Sequence, residues 1–427
     1  MLSQGLLIRL CRLWTCRPLW LKTLLGMSVG IGVGLTFGEQ AQWVRPIGIY
    51  FVSAIQGLMI PLVFCSIITG TTSLLKSKKL DRVGGKAIGL YLLSTALAIG
   101  IGLMMGWLLE PGSGAGLGAY QQPTPLAPAM LIDEDASRAL ASQNWSIAGD
   151  KILPIIIFAI ALAFSLNASG RRGRPAILFF ASLAEGMFKL LQMIMVLAPY
   201  GVCALMAWMV SIHGLELLLP LLKVIGVLYL GCILHVFGVY TLMLLLLARL
   251  NPIHYFKSIV DAQAVAFTSS SSMTTLPTCL ACAERRLGVC HVITEKVLAI
   301  GAVFNMDGTA LYQGVAALFV AQAFGVDLQF GDYVTIVIIA TLASIGTVGT
   351  PGAGLLLLSL TLAAVGIPLE GVALLAGIDR LLDMARTTVN VSGDIVVSVL
   401  VAQSEKGLDV VVYSDVSAGE DIDFTVR

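Results

Sequence analysis

Charge is what this sequence has least of. Of its 427 residues, 12% are Asp, Glu, Lys or Arg, against about 25% in a soluble protein. Hydrophobic residues make up 57%, and mean hydropathy is +0.92. An ordinary soluble domain is excluded, and a polytopic membrane protein is expected. The net charge of +1 gives no pointer to a nucleic-acid partner. Cysteine is sparse and scattered. Cys279-x2-Cys282 followed by Cys290-His291 lacks a second Cys pair and lies in an apolar segment, which argues against zinc. No Gly-x-Ser-x-Gly is present, so serine nucleophile chemistry has no motif to stand on. Arg9, Arg12, Arg17 and Lys22 precede an apolar run without a convincing small-residue cleavage site, so no cleavable signal is expected.

The few charges that are present are concentrated. Within 377–401, Asp379, Asp383, Arg386, Thr387, Asn390 and Asp394 fall inside roughly 100° of one helical face, taking about 100° per residue. Arg380 lies just off the edge of that stripe. Each such charge in a membrane span costs roughly 2.5–3.5 kcal/mol on insertion scales, so the stripe faces protein or water. Arg386 can grip a carboxylate with two N–H groups. Carboxylates with amide or main-chain oxygens suit a hard cation. The plainer alternative is an ion pair from Asp379 or Asp383 to Arg386 that only joins helices, which would not need Asn390 and Asp394 further along.

Apolar runs at about 23–38, 47–75, 87–109, 152–166, 176–211 and 217–249 are read as six spans. Basic clusters at the N-terminus, 76–86, 171–174, 249–257 and 284–296 are assigned to the cytoplasm. Loops 110–150 and 212–216 are then outside, the former with a sequon at Asn144-Trp-Ser146. His213 and His235 are read as ordinary polar residues of the spans. After residue 250 the pattern changes. Segment 258–280 carries Ser269 to Ser272 at its middle, and 331–366 carries a Gly-rich middle at 344–354. Both read as re-entrant hairpins with polar tips, tolerated at membrane depth only inside protein or along a cavity. Between them, 292–322 reads as a span interrupted at 305–309, where freed carbonyls can meet cations. Two hairpins, each followed by a polar helix, amount to an inverted repeat, a transporter pattern. Asp307 and Asp394 also form the acid pair an intramembrane aspartyl protease would use. That chemistry wants Gly-x-Gly-Asp, and the chain reads Val391-Ser-Gly-Asp394, so no enzyme is expected.

AFTSSSSMTTLP (266–277), FNMDGTALYQG (304–314), SIGTVGTPGAG (344–354) and DRLLDMARTTVNVSGD (379–394) resemble the dicarboxylate/amino acid:cation symporter family. The resemblance covers nearly the whole chain. It implies an all-α fold of eight spans and two re-entrant hairpins, assembled as a homotrimer in membrane lipid. The scaffold would be 1–86 (spans one and two) and 151–212 (spans four and five). The mobile transport domain would be 87–110 and 213–403, sliding like an elevator. Residues 111–150 would be an outer loop and 404–427 a cytoplasmic tail. The expected location is a plasma or bacterial inner membrane, with both termini cytoplasmic.

The resemblance also implies residue roles. Arg386 would take the substrate's side-chain carboxylate and Asp383 its amino group. Asn390 and Thr387 would support the main-chain end, with Thr309 nearby. The two hairpin tips would line the pocket through Ser270, Ser271 and Ser272, and through Val348, Gly349, Thr350, Pro351 and Gly354. Asp394 with carbonyls of Gly301, Asn305 and Asn390 resembles one sodium site. Tyr91, Ser94, Thr95, Asn305 and Asp307 resemble a second. Carbonyls of Val303, Ser344, Ile345 and Thr347 resemble a third. Asp at 383 and 394, with Arg at 386, points to sodium-driven uptake of aspartate or glutamate rather than to a C4-dicarboxylate or neutral amino acid, or to proton coupling. Gln313, in place of a Glu, argues against potassium counter-transport. One departure stands out. A second arginine usual in acidic amino-acid members is replaced by Ser270 and Met384, leaving Asp383 with one fewer cationic neighbour.

Overall fold

The computed structural model describes residues 19–76, 82–115, 152–344, 352–368 and 370–415. Among these every regular element is helical, apart from one isolated antiparallel bridge between Val289 and Leu408. Most of the expected outer loop with its sequon, the second hairpin tip at 345–351 and the end of the acidic tail lie outside the described residues.

Helix α1 (Leu19–Phe37) runs through a short 3-10 segment into α2 (Arg45–Lys76). Helix α3 (Arg82–Leu109) follows, then α4 (Ile152–Ala168). The apolar run at 176–211, read as one span, is two helices: α5 (Arg174–Met195) and α6 (Ala198–His213). Pro199 explains the break. It cannot donate to the turn before it, and it fits the first turn of a new helix. Helix α7 (Leu218–Leu234) continues through π-helical stretches at His235–Tyr240 and Leu244–Ala248. It ends where Arg249 turns left-handed, at φ 55°.

The serine-rich segment forms the expected helix–turn–helix. After the short α8 (Pro252–Ser258), α9 (Val260–Ser269) meets α10 (Ser272–Ala281) across Ser270 and Ser271. Ser270 takes φ 51°, which closes α9. The Ser271 side chain accepts from Thr274 N, which opens α10. Next come α11 (His291–Phe304) and α12 (Asp307–Phe324). The interruption is narrower than 305–309. Only Asn305 and Met306 leave the helix, and Asp307 begins α12, where the helix N-terminus favours an acid. Helices α13 (Phe330–Ser344) and α14 (Ala353–Ala364) flank the second tip. Helix α15 (Glu370–Ser404) has 35 residues, about 52 Å long at about 1.5 Å per residue, enough to cross a bilayer core of about 30 Å. A short α16 (Val410–Ser414) follows.

The core is divided. The larger cluster joins α3, α7, α9 to α12, α14 and α15, with part of α6. The smaller joins α2, α4, α5 and α6 with one face of α13 and α14. Helix α12 is enclosed on every side, with nearly all of its residues buried. Helix α7 is apolar both where it is buried (Leu221, Val224, Leu228) and where it is exposed (Leu219, Leu222, Ile233). A helix apolar all round belongs in hydrocarbon. Five stretches are long and apolar enough to cross a membrane among the described residues: Leu21–Thr72, Arg82–Leu109, Arg174–Met195, Gly214–Ala248 and Leu374–Ser404. This is a polytopic membrane protein.

One end of the bundle gathers the basic segments. Arg82 and Lys86 both reach Glu405, at 3.1 and 2.5 Å. Tyr413 donates to Asn251 O at 2.9 Å, and Asp409 N to Gly288 O at 2.8 Å. The start of the tail is thus tied to three of the four basic loops.

Candidate functional site

The stripe on α15 is buried along its whole length: Asp379, Asp383, Arg386, Thr387, Asn390 and Asp394. Its periodicity was sound because the helix is unbroken from Glu370 to Ser404. Arg386 is only 1% exposed. Its Nη2 lies 2.8 Å from Asp379 Oδ1 and 3.0 Å from Asp383 Oδ1. Its guanidinium carbon sits 4.2 Å from the centre of the Tyr312 ring on α12, a cation–π contact. The ion pair of the plainer reading is therefore present, but it does not use up the groups. Arg386 Nε and Nη1, Asp383 Oδ2 and Tyr312 Oη are buried with no hydrogen-bond partner among the described residues. Leaving buried charged groups unpaired is costly, so this arrangement favours whatever ligand completes it.

Two glycines let backbones close on this arginine. A Cβ at Gly308 would strike the Arg386 main chain, and one at Gly354 would strike Arg386 Nη1. Helix α12 thus begins against the Arg386 backbone and α14 against its guanidinium, which places Gly354 beside the stripe. Thr309 and Ser272 are buried, and Ser270 is buried with an unpartnered hydroxyl. Val348, Gly349, Thr350 and Pro351 lie outside the described residues.

The missing second arginine has a neighbour in its place. Arg380, which the sequence left at the edge of the stripe, donates from Nη2 to Ser269 O at 3.2 Å. This joins α15 to the first hairpin tip. Its charge bears on Asp379 and Asp383. Ser270 and Met384 supply no second arginine, and Arg380 is a further cation near Asp383. Met384 is buried and Ser270 uncharged, but Arg380 stands three residues before Asp383, on its side of the helix. The wheel angle placed Arg380 outside the stripe, and the length of its side chain carries the charge back.

The Asp394 set assembles one turn further along. Asn305 Nδ2 bridges Asn390 O at 2.7 Å and Asp394 Oδ1 at 3.0 Å. Asn390 Oδ1 accepts from Gly308 N at 2.8 Å. A Cβ at Gly301 would strike Asp394 Oδ1 and the Tyr91 hydroxyl. A carboxylate, two side-chain amides and a main-chain carbonyl thus meet at the break between α11 and α12, with the Asn305 amide nitrogen between the Asn390 and Asp394 oxygens; their oxygens are of the type that suits a small hard cation.

A second cluster surrounds Asp307. Ser94 bonds Asp307 Oδ2 closely, and Thr95 donates to Oδ1 at 2.7 Å. Two groups on α7 join them. Tyr240 Oη is 2.9 Å and His235 Nε2 3.3 Å from Oδ2. Tyr91 and Asn305, expected here, lean elsewhere. The Tyr91 hydroxyl donates to Val297 O at 3.2 Å, and Asn305 turns to Asp394. Of the third set, Val303 lies in the last turn of α11 and Ser344 ends α13. Ile345 and Thr347 lie outside the described residues. His235, an ordinary polar residue by its sequence context, is wholly buried against an acid. No sequence spacing pointed to it.

The comparisons with known proteins agree with this architecture. The profile of the sodium:dicarboxylate symporter family matches residues 19–404. A proton/sodium-glutamate symport protein of Bacillus caldotenax is 34% identical over 393 residues, covering 89% of this chain and 93% of its own. A proton/glutamate-aspartate symporter of Bacillus subtilis (strain 168) is 33% identical over 396 residues, 90% of this chain and 94% of its own. A C4-dicarboxylate transport protein of the same strain is 31% identical over 413 residues, 92% and 95% of the two chains. These are transporters and not enzymes, which removes the protease alternative. With a buried charged stripe packed against the α9–α10 turn and the start of α14, and a family match over nearly its whole length, the chain belongs to the sodium:dicarboxylate symporter family.

Proposed function

We propose that the chain is a sodium-coupled symporter for an acidic amino acid, aspartate or glutamate, and that Arg386 and Asp383 read the two kinds of charge on it. One observation carries this reading. Among the described residues, Arg386 forms its ion pairs through Nη2, with Nε and Nη1 free of hydrogen-bond partners, while Asp383 keeps Oδ2 without one on the same helix. A guanidinium edge with free N–H groups suits a carboxylate. A free carboxylate oxygen suits an ammonium. An acidic amino acid satisfies both at once. A C4-dicarboxylate would serve Arg386 but set an anion against Asp383, and a neutral amino acid would leave Arg386 unmet.

The Asp394 and Asp307 clusters support sodium as the driving ion, with a third set at Val303, Ser344, Ile345 and Thr347 completed by the outer hairpin. Coupling follows if the ions and the amino acid stabilise the same closed state, since a ligand drives a change only through differential affinity. In this reading 87–110 and 213–403 carry the cargo, sliding like an elevator against the scaffold of a homotrimer. The second reading is a proton-coupled carrier of the same fold, since the proton/glutamate-aspartate symporter of Bacillus subtilis is named for a proton alone and the relative from Bacillus caldotenax for both ions.

The test is uptake of labelled L-aspartate into proteoliposomes under an inward sodium gradient or an inward proton gradient. Glutamate, succinate and serine serve as competitors. Accumulation with sodium alone, blocked by glutamate and not by succinate, is expected. Proton-driven uptake blocked by succinate or serine would overturn the substrate and the ion together.

A further inference from the structure

His235 is one of the wholly buried polar residues among those described. It is 0% exposed, as is Asp307 beside it. Its Nε2 lies 3.3 Å from Asp307 Oδ2 and 3.4 Å from Ser94 Oγ. Its Nδ1 is buried with no partner. A ring hydrogen on Nδ1 would therefore be a buried donor without an acceptor, whereas one on Nε2 has two oxygens to meet. The geometry selects the state with hydrogen on Nε2 alone, donating toward Asp307.

The backbone supports the same conclusion. His235 and Tyr240 are five residues apart. On an α-helix they would point about 140° from one another. They stand together because His235–Tyr240 is a π-helical stretch, hydrogen-bonded i to i+5 and found often at functional sites. The two rings meet edge to face, with centroids 4.8 Å apart. Both polar tips reach the same oxygen of Asp307. The π turn thus brings two donors from α7 onto one carboxylate oxygen. The other oxygen, Oδ1, stays with Thr95 of α3.

We propose that His235 is a positioning residue for ion binding at Asp307. With Tyr240 it occupies Oδ2 from the α7 side and fixes the carboxylate so that Oδ1 and the Ser94 and Thr95 hydroxyl oxygens face the ion. His235 touches the carboxylate and not the cargo. This rests on the reading of Asp307 as a sodium ligand, so the test is built to separate the two.

The experiment is a sodium titration of the purified full-length protein in nanodiscs, without amino acid, followed by tryptophan fluorescence. L-aspartate affinity is then measured at saturating sodium. H235L is expected to raise the half-saturating sodium concentration by about tenfold, the equivalent of one lost hydrogen bond to a charged group, about 1.4 kcal/mol. Aspartate affinity at saturating sodium is expected to stay within about twofold. H235Q, whose amide N–H reaches the same oxygen, is expected to restore most of the sodium affinity. H235N, whose amide stops short, should behave like H235L and serves if the leucine variant does not fold. D307N is the reference. If D307N titrates like wild type, the ion-ligand reading fails and this inference with it. If D307N weakens sodium but H235L and H235N do not, His235 has no positioning role. Equal losses of sodium and aspartate affinity in H235L, not rescued by H235Q, would mean a general packing role and also overturn the proposal.

Discussion

Gly354 and Arg386 touch because one of them has no side chain. A Cβ on Gly354 would run into Nη1 of the guanidinium, so α14 starts against the most deeply buried cation of the molecule. The second hairpin is thereby tied to the same arginine that α15 holds with Asp379 and Asp383. The first turn of α14 and the guanidinium therefore pack within the space of a single methyl group.

Gly354→Ala tests that relationship. In an ordinary helix the change is favourable by about 1 kcal/mol, so the fold should not suffer from propensity. The new methyl must displace either the guanidinium or the start of α14. A displacement of this size costs about 10- to 100-fold in a positioned site. Calorimetric titration with L-aspartate at saturating sodium should show a loss of that order. Wild-type affinity would mean that α14 does not close on Arg386.

Asp383→Asn separates amino acids from dicarboxylates. The shape is kept, and Asp379 still anchors Arg386 at 2.8 Å. What is lost is the negative charge opposite the substrate's ammonium. Removing one partner of a buried charge pair costs about 2–5 kcal/mol, so aspartate affinity should fall by at least about 30-fold. Succinate inhibition should be unchanged or stronger, because a second carboxylate no longer meets an anion. Equal losses for aspartate and succinate would show that Asp383 only holds Arg386.

The stripe was readable because helix periodicity is a local signal and α15 is unbroken. The first hairpin tip was readable because four serines interrupt apolar sequence, and Ser270 and Ser271 do form the turn. Arg380 was undervalued because its partner, Ser269, is 111 residues away, and no spacing encodes that meeting. His235 and Tyr240 were invisible as a pair because five residues is neither a helical nor a strand period. The break at Asn305 was expected too wide, since Gly308 looks like a helix breaker in sequence but serves close approach to Arg386. The division of 176–211 has a local signal in Pro199, which the reading of one continuous apolar run did not use.

Arg380→Ala tests the bridge to the first hairpin. The variant removes the donor to Ser269 O and a charge that bears on Asp383. Arg380 is half-buried, so its effect is moderated by solvent and screened by salt. Aspartate affinity is expected to change by about threefold to tenfold, with a dependence on ionic strength weaker than in the wild type. Arg380→Lys keeps the charge but not the planar fork and should recover only part. An Arg380→Ala variant with wild-type affinity and salt dependence would return the residue to a structural role.

The last prediction concerns pH at the exposed end of the bundle. His291 begins α11 with Nδ1 2.8 Å from Glu284 Oε1. The hydrogen bond donated to Glu284, and then the charge of that carboxylate, lift the imidazole above its usual 6.5. A helix N-terminus disfavours a cation, so the carboxylate outweighs the dipole here. Because the folded pKa is raised, the pairing's contribution is fully present below about 6.5 and is lost as pH rises through the higher folded value. The ring is 72% exposed, so the effect stays local and weakens with salt. The chain has four histidines, which makes each resolvable in a histidine-labelled NMR titration. His291 should titrate above the unfolded value, and Glu284→Gln should bring it back down. Amide exchange at the first turn of α11 should quicken over the same interval in the wild type and not in the variant. A His291 that titrates at the unfolded value in the wild type would show that the turn from Cys282 to Arg286 and the start of α11 are not held together by this pair.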